Sequence, residues 1–318
     1  MTITQLKYVL AVAENQNFTK AAEKTFVTQP TLSMQIQKLE DELDIIIFDR
    51  GKKPIELTDV GRKIVNQARN IVNEANRISD IVDQQKGFIG GEFKLGVIPT
   101  VMPTLLPMFL RNFINKYPKV KLKIEELPTE TIIERLEDGH LDAAIAATPL
   151  DYENIKERPL YYEPFVAYIP SNYNLNKTEK ITIEDLDLNN MLLLEDGHCF
   201  RDGVLNLCKA NRNYEEDTFS LESGSFETLV RLANEGLGMT LLPYLHTLEI
   251  KNEEKQYLHL FKDPAPAREV SILYHKSELK MQIIEALRTT IAGVIKGAIT
   301  FQNVQIISPL PQTKNSNH

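Results

Sequence analysis

Two side chains in this sequence carry chemistry beyond packing and charge: Cys199 and Cys208, the only cysteines in 318 residues. They lie in Asp196-Gly197-His198-Cys199-Phe200-Arg201-Asp202-Gly203-Val204-Leu205-Asn206-Leu207-Cys208. A thiol reacts as its thiolate, and a nearby histidine, a nearby arginine and a helix N-terminus all favour that form. Cys199 has His198 and Arg201 beside it and precedes an expected helix, in which Val204, Leu207 and Cys208 fall at i, i+3, i+4. Nine helical steps separate the two cysteine Cα atoms by about 13 Å, whereas a disulfide needs them within about 7 Å. Any bond between them would have to open the helix, so the stretch is a candidate switch. Two blander roles compete. Free cysteines are often small apolar core side chains; Cys208, on the apolar face, suits that role, and Cys199, between His198 and Phe200-Arg201-Asp202, does not. Zinc takes four ligands, and two cysteines with one histidine at this spacing supply too few. No metal or cofactor is expected.

The elements that must position these thiols begin with the bulk composition. A chain 42% hydrophobic and 25% charged is a soluble globular protein with room for two or three domains. Its start, Met-Thr-Ile-Thr-Gln, has no basic region and no apolar core of signal-peptide type. No window approaches the ~18 apolar residues of a membrane span. The chain therefore reads as cytoplasmic, without a membrane partner, where a cysteine pair is more often redox-active, catalytic or metal-binding than a standing crosslink. The net charge of −8 argues against nonspecific coating of nucleic acid. Residues 1–88 carry 12 Lys+Arg and 12 Asp+Glu, so the whole acidic excess lies in residues 89–318. That asymmetry is compatible with a DNA-binding module on an acidic body.

Leu6, Val9, Leu10 and Ala13 give a first amphipathic helix, and Thr19 is placed to cap a second through Lys20-Ala21-Ala22-Glu23-Lys24. Pro30 falls in the first turn of a third, where a missing N–H costs nothing. In that helix Leu32, Ile36, Leu39 and Leu43 form one buried stripe. Gln29, Pro30, Thr31, Ser33, Met34, Gln35 and Lys38 give the remaining surface small, amide and mildly basic groups that suit phosphates and base edges. Two short helices joined by a tight turn describe a helix-turn-helix. The run 48–58 then reads as a β-hairpin wing offering Arg50, Lys52 and Lys53 to phosphates. From Thr58 to about residue 86, Ile64, Ala68, Ile71, Ala75, Ile78 and Val82 recur at 4, 3, 4, 3, 4, a heptad seam for pairing with a second copy. Beyond the glycines at 87, 90 and 91 the rhythm becomes strand–helix–strand–helix–strand, expected as a parallel doubly wound sheet. The Pro/Asn/Ser-rich tail is expected to be disordered.

Phe18-Thr19-Lys20-Ala21-Ala22, Gln29-Pro30-Thr31-Leu32-Ser33-Met34-Gln35-Ile36, Leu39-Glu40 and Leu57-Thr58-Asp59-Val60-Gly61 resemble the N-terminal motif of the LysR-type transcriptional regulators. The resemblance extends over essentially the whole chain, and the Gly197–Asp202 segment with Cys208 resembles the sensing loop of the family's hydrogen-peroxide-sensing members. It implies an α/β protein: a winged helix-turn-helix (1–58), a linker helix (59–89), then a two-lobed periplasmic-binding-protein-like domain (90–302). Lobe I would comprise 90–162 and 268–302, lobe II 163–267, and the disordered tail 303–318. It further implies that Cys199 is the peroxide-reactive thiol and Cys208 its disulfide partner, with residues around 199–220 refolding. Thr100, Thr129, His198 and Arg268 would form the peroxide pocket and support the thiolate, although Thr129 is equally suited to cap the following helix and His198 to serve structure through hydrogen bonds. Implied partners are promoter DNA of oxidative-stress genes, further copies of the chain up to a tetramer, RNA polymerase and a thiol reductant such as glutaredoxin. Two readings compete with a peroxide-sensing activator: a regulator responding to an organic effector, and a thiol peroxidase or disulfide reductase. No CxxC motif supports the enzyme. Phe200 replaces a common leucine, and Gly203 and Asn206 weaken the helix they occupy, glycine by ~1 kcal/mol.

Overall fold

Thr2 and Gln5 set the start of the first helix: the Thr2 hydroxyl accepts from the Gln5 amide, and the Gln5 side chain accepts from the Thr2 amide. This capping box opens α1 (Ile3–Asn15), whose Leu6, Val9 and Val12 are buried. The next helix, α2 (Phe18–Lys24), is capped by Asn17, which accepts from the Lys20 amide at 3.0 Å; Thr19 lies inside the helix and is not its cap. In α3 (Gln29–Leu43), Thr28 is the cap, Pro30 sits in the first turn, and Leu32, Ile36 and Leu39 are buried. Leu43, the fourth member of the expected stripe, is exposed. The wing is a short antiparallel pair, β1 (Phe48–Asp49) and β2 (Glu56–Leu57).

The linker helix α4 (Asp59–Gln85) starts where Thr58 accepts from the Gly61 amide at 2.9 Å. Its apolar stripe is divided. Val65, Ala68 and Val72 enter the core around α1, with Ile64 and Ile71 at its edge, while Ile78 and Val82 are 66% and 45% exposed. The expected seam is thus used within the unit along its first half and open only along its second.

The computed structural model describes residues 1–85, 89–173, 180–186, 190–208, 223–299 and 303–310, and the chain divides into two units, Met1–Phe88 and Ile89–His318. In the second unit, β3 (Gly91–Val97), α5 (Met102–Lys116), β4 (Val120–Glu126), α6 (Thr129–Glu137) and β5 (Ala143–Thr148) alternate. β3 pairs in parallel with both β4 and β5. The all-parallel expectation fails at the next strands: β9 (Ala265–His275) runs antiparallel to β5 and to the long β6 (Ile155–Tyr168). β6 and β9 cross from a first core, closed by α5, α6 and α10 (Met281–Ala298), into a second. The second core gathers the end of β6, β7 (Thr240–Pro243), α7 (Cys199–Cys208) and α8 (Phe226–Asn234), with β8 (Leu258–Leu260) at its edge. A short helix, α9 (Tyr244–Thr247), follows β7.

The tail is not wholly without structure. β10 (Val304–Ile306) adds a parallel strand to the start of β9, the Ile307 amide donates to the Ala267 carbonyl at 2.8 Å, and Pro309 is buried. Edge pairing and apolar contact order residues that composition alone marks as loose; 311–318 lie outside the described residues.

Candidate functional site

Both lobe cores meet at the N-terminus of α7. Cys199 is the first residue of that helix, a free, half-buried thiol. Val204 and Leu207 are buried in the second core, as the i, i+3 spacing predicts. Phe200 is the deepest anchor. Its ring meets Phe165 and Phe226 edge-on at 5.1 and 4.8 Å, and the Arg268 guanidinium lies 5.2 Å from its centroid. The leucine-to-phenylalanine departure thus ties α7 to both crossing strands. The side chain of Cys208 and residues 209–222 lie outside the described residues.

Thr129 and Thr100 reach the site from the carboxyl ends of β4 and β3, where α/β sheets place their ligands. Thr129 Oγ1 lies 2.9 Å from Cys199 Sγ. It does not cap α6; Pro128 holds the cap position without a side-chain bond, so the hydroxyl is committed to sulfur. Thr100 is one step removed: its hydroxyl accepts from Arg268 Nη1 at 2.9 Å and its carbonyl from Nη2 at 3.0 Å.

Arg268 does not act alone. Directly opposite it in the β6–β9 register stands Glu163. Its Oε2 accepts from Arg268 Nε at 2.9 Å and Nη2 at 2.7 Å, while Oε1 accepts from the Leu245 amide at 2.9 Å. Both side chains are almost fully buried. Desolvated charges of this kind persist only when paired and hydrogen-bonded. Glu163 was missed in the sequence, where Tyr162-Glu163-Pro164 reads as an unremarkable strand segment.

The two sequence neighbours of Cys199 make polar contacts of their own. His198 Nε2 lies 3.4 Å from Glu195 Oε1. Arg201 donates to the Leu194 carbonyl at 2.9 Å and pairs with Asp196 at 2.8 Å. Burial pushes the Cys199 thiol above its ordinary pKa; the Thr129 hydrogen bond pulls it down, Asp202 adds to the rise and Arg268 opposes it. Desolvation is the largest of these effects, so the thiol is held above its ordinary pKa. The Asp202 carboxyl is itself pushed up, chiefly by burial. Among the described residues no group of three or more His, Cys, Asp or Glu side chains could hold a metal ion.

The first unit presents a different surface. Gln29, Pro30, Thr31, Met34 and Lys38 are exposed, with Ser33 and Gln35 half-buried beside them. Arg50 folds back: it pairs with Glu40 at 2.8 Å and lies 5.2 Å from the Phe18 ring centroid. Lys52 pairs with Glu56 at 2.6 Å in solvent, and Lys53 is exposed. Glu40, buried and also missed, accepts from the Ile47 and Phe48 amides at 2.8 and 3.2 Å and so fixes the wing to α3.

Comparison with known proteins agrees with this division. Residues 3–62 match the bacterial regulatory helix-turn-helix protein, lysR family, and residues 86–295 match the LysR substrate binding domain. The DNA-binding transcriptional dual regulator OxyR of Escherichia coli K12 is 35% identical over 94% of this chain and 100% of its own. A full-length OxyR variant from Pseudomonas aeruginosa superposes with a TM-score of 0.75 at 34% identity, covering 92% of this chain and 98% of that one. A hydrogen-peroxide-bound OxyR mutant from Corynebacterium glutamicum gives 0.63 at 26%, covering 93% of each chain. These two family models, the second alone covering more than half of the sequence, place this chain among the LysR-type transcriptional regulators.

Proposed function

We propose that this chain is a DNA-binding transcriptional regulator that senses hydrogen peroxide through Cys199 and controls oxidative-stress genes. The observation that carries the reading is the Cys199 thiol, 2.9 Å from the Thr129 hydroxyl at the start of the helix that also bears Cys208. In the first step the Cys199 thiol loses its proton and the sulfur attacks one peroxide oxygen. The O–O bond breaks, and the leaving hydroxide takes up a proton to become water, with sulfenic acid left on sulfur. Thr129 is placed to stabilise the ionised sulfur and Thr100 the leaving oxygen, while Arg268 supplies positive charge held in place by Glu163. In the second step the Cys208 thiol attacks the sulfenic sulfur, forming the Cys199–Cys208 disulfide and a second water. Two thiols are oxidised by one peroxide. The raised pKa of Cys199 keeps the resting site protonated and quiet.

The disulfide cannot form along an intact α7, so oxidation refolds the segment and alters contacts between copies of the chain. The open half of the α4 stripe, around Ile78 and Val82, suits pairing with a second copy, and two such dimers would make a tetramer. The α3 surface, with Lys52 and Lys53 on the wing, faces promoter DNA. A cytoplasmic setting, contact with RNA polymerase and reduction by a glutaredoxin-type thiol complete the cycle. The test is a footprint on the promoter of a peroxide-defence gene, comparing reduced and peroxide-treated protein. The wild type should change its footprint with peroxide and Cys199→Ser should not; an identical response in both would overturn the reading.

A further inference from the structure

Asn206 is a poor helix former near the end of α7, and its own helix does not explain it. Its side-chain amide donates to two carbonyls of the C-terminal segment, Ser308 O at 2.8 Å and Leu310 O at 2.9 Å. The same segment is tied to the crossing strand β9 through β10 and the Ile307 amide, with Ile307 packed on the second core. Residues 303–310 therefore bridge β9, which carries Arg268, and the helix that carries both cysteines. We propose that this segment is a redox-responsive strap: it is bound while α7 is helical and released when the Cys199–Cys208 disulfide opens the helix. This rests on the peroxide-sensing reading above.

The geometry decides which end of α7 yields. Phe200 pins the N-terminal end between Phe165, Phe226 and Arg268. To come from about 13 Å to within about 7 Å of Cys199, Cys208 must leave its helical position. Asn206, two residues before it, cannot keep both carbonyls in reach. Two thiols and one peroxide give the disulfide and two waters, so the only change the strap experiences is the loss of its anchor. A contact made in one state and absent from the other biases the equilibrium between them, and the coupling is reciprocal. The strap therefore favours the dithiol, and the disulfide favours its release. With two amide hydrogen bonds at stake, the expected bias is about tenfold, which for a two-electron couple is about 30 mV.

The test uses the full chain. Deuterium exchange of the peptide spanning 303–310 is compared between the dithiol and the isolated disulfide form, and Asn206→Leu is equilibrated in a thiol–disulfide buffer. Faster exchange at Val304–Ile307 in the disulfide form is expected, by about tenfold, together with a shift of Asn206→Leu toward disulfide. Helix propensity alone predicts the opposite sign, because leucine strengthens α7. A chain ending at residue 302 keeps the α7 sequence, and with it the helix propensity, and should shift as Asn206→Leu does, which keeps the test open if that variant folds poorly. Unchanged exchange in a fully formed disulfide, or a shift toward dithiol, overturns the strap while leaving peroxide sensing intact. Failure of the wild type to form the Cys199–Cys208 bond overturns both.

Discussion

Thr129→Val separates activation of the thiol from maintenance of the fold. Valine keeps the branched shape and deletes the hydroxyl that lies 2.9 Å from Cys199 Sγ. Because Pro128, without any side-chain bond, occupies the cap of α6, no capping is lost. Stability should fall by no more than about 1 kcal/mol. Ionised sulfur loses more: a hydrogen bond to a charged group contributes about 1.5–3 kcal/mol, and losing it slows the reaction by about 10–100-fold. The assay mixes reduced full-length protein, in a Cys208→Ser background, with excess hydrogen peroxide and quenches with an alkylating reagent. The rate of Cys199 loss is then read by mass spectrometry, alongside the thermal midpoint. A rate within about twofold of the parent at neutral pH, with an unchanged pH profile, would refute the role given to Thr129.

Glu163→Gln should behave in the opposite way. It leaves a buried guanidinium uncompensated at a cost of about 3–5 kcal/mol, read by denaturant unfolding, and lets Arg268 draw Cys199 toward thiolate; a loss below about 1 kcal/mol would contradict the pairing. At Gly203 an added Cβ would meet only Phe165 Cζ at 3.5 Å, an ordinary contact. Gly203→Ala should therefore strengthen α7 by ~1 kcal/mol and make disulfide formation about fivefold less favourable at equilibrium in a thiol–disulfide buffer. Since burial raises the Cys199 pKa, thiolate is the minor form at neutral pH. The oxidation rate should climb about tenfold per pH unit until the raised pKa is reached, and a plateau near neutrality would contradict the burial effect. By linkage the native state holds this proton more tightly than the unfolded chain. The associated stability is present below the unfolded thiol pKa and is lost as pH rises through the folded one, which pH-dependent unfolding of Cys199→Ser against wild type will read.

Local pattern made much of this legible. The Leu32/Ile36/Leu39 stripe, Pro30 in its first turn and the Thr58 cap are periodicity and capping, which act over a few residues. The α7 spacing belongs to the same class, and through it the geometric conflict between the two cysteines. What was not legible depends on distant partners. Glu163 becomes part of the site only through its register opposite Arg268, and Glu40 looks like a solvent carboxylate until Ile47 and Phe48 return to it. His198 and Arg201 were expected to serve Cys199 because they adjoin it in sequence. His198 precedes the helix and contacts Glu195, while Arg201, two residues on from Cys199 along α7, contacts Leu194 and Asp196. The strap was hidden for the same reason: it runs into a Pro/Asn/Ser-rich tail that reads as loose, while Asn206, about a hundred residues away, holds it.

On the proposed reading, peroxide joins Cys199 to Cys208 within one chain. The direct measurement is a non-reducing peptide map of the full-length protein after one equivalent of hydrogen peroxide. The predicted result is a single linked pair of peptides carrying Cys199 and Cys208, loss of both thiols, and full recovery on reduction. Cys208 remaining as a free thiol while Cys199 carries irreversible oxidation, or linkage only between separate chains, would contradict it.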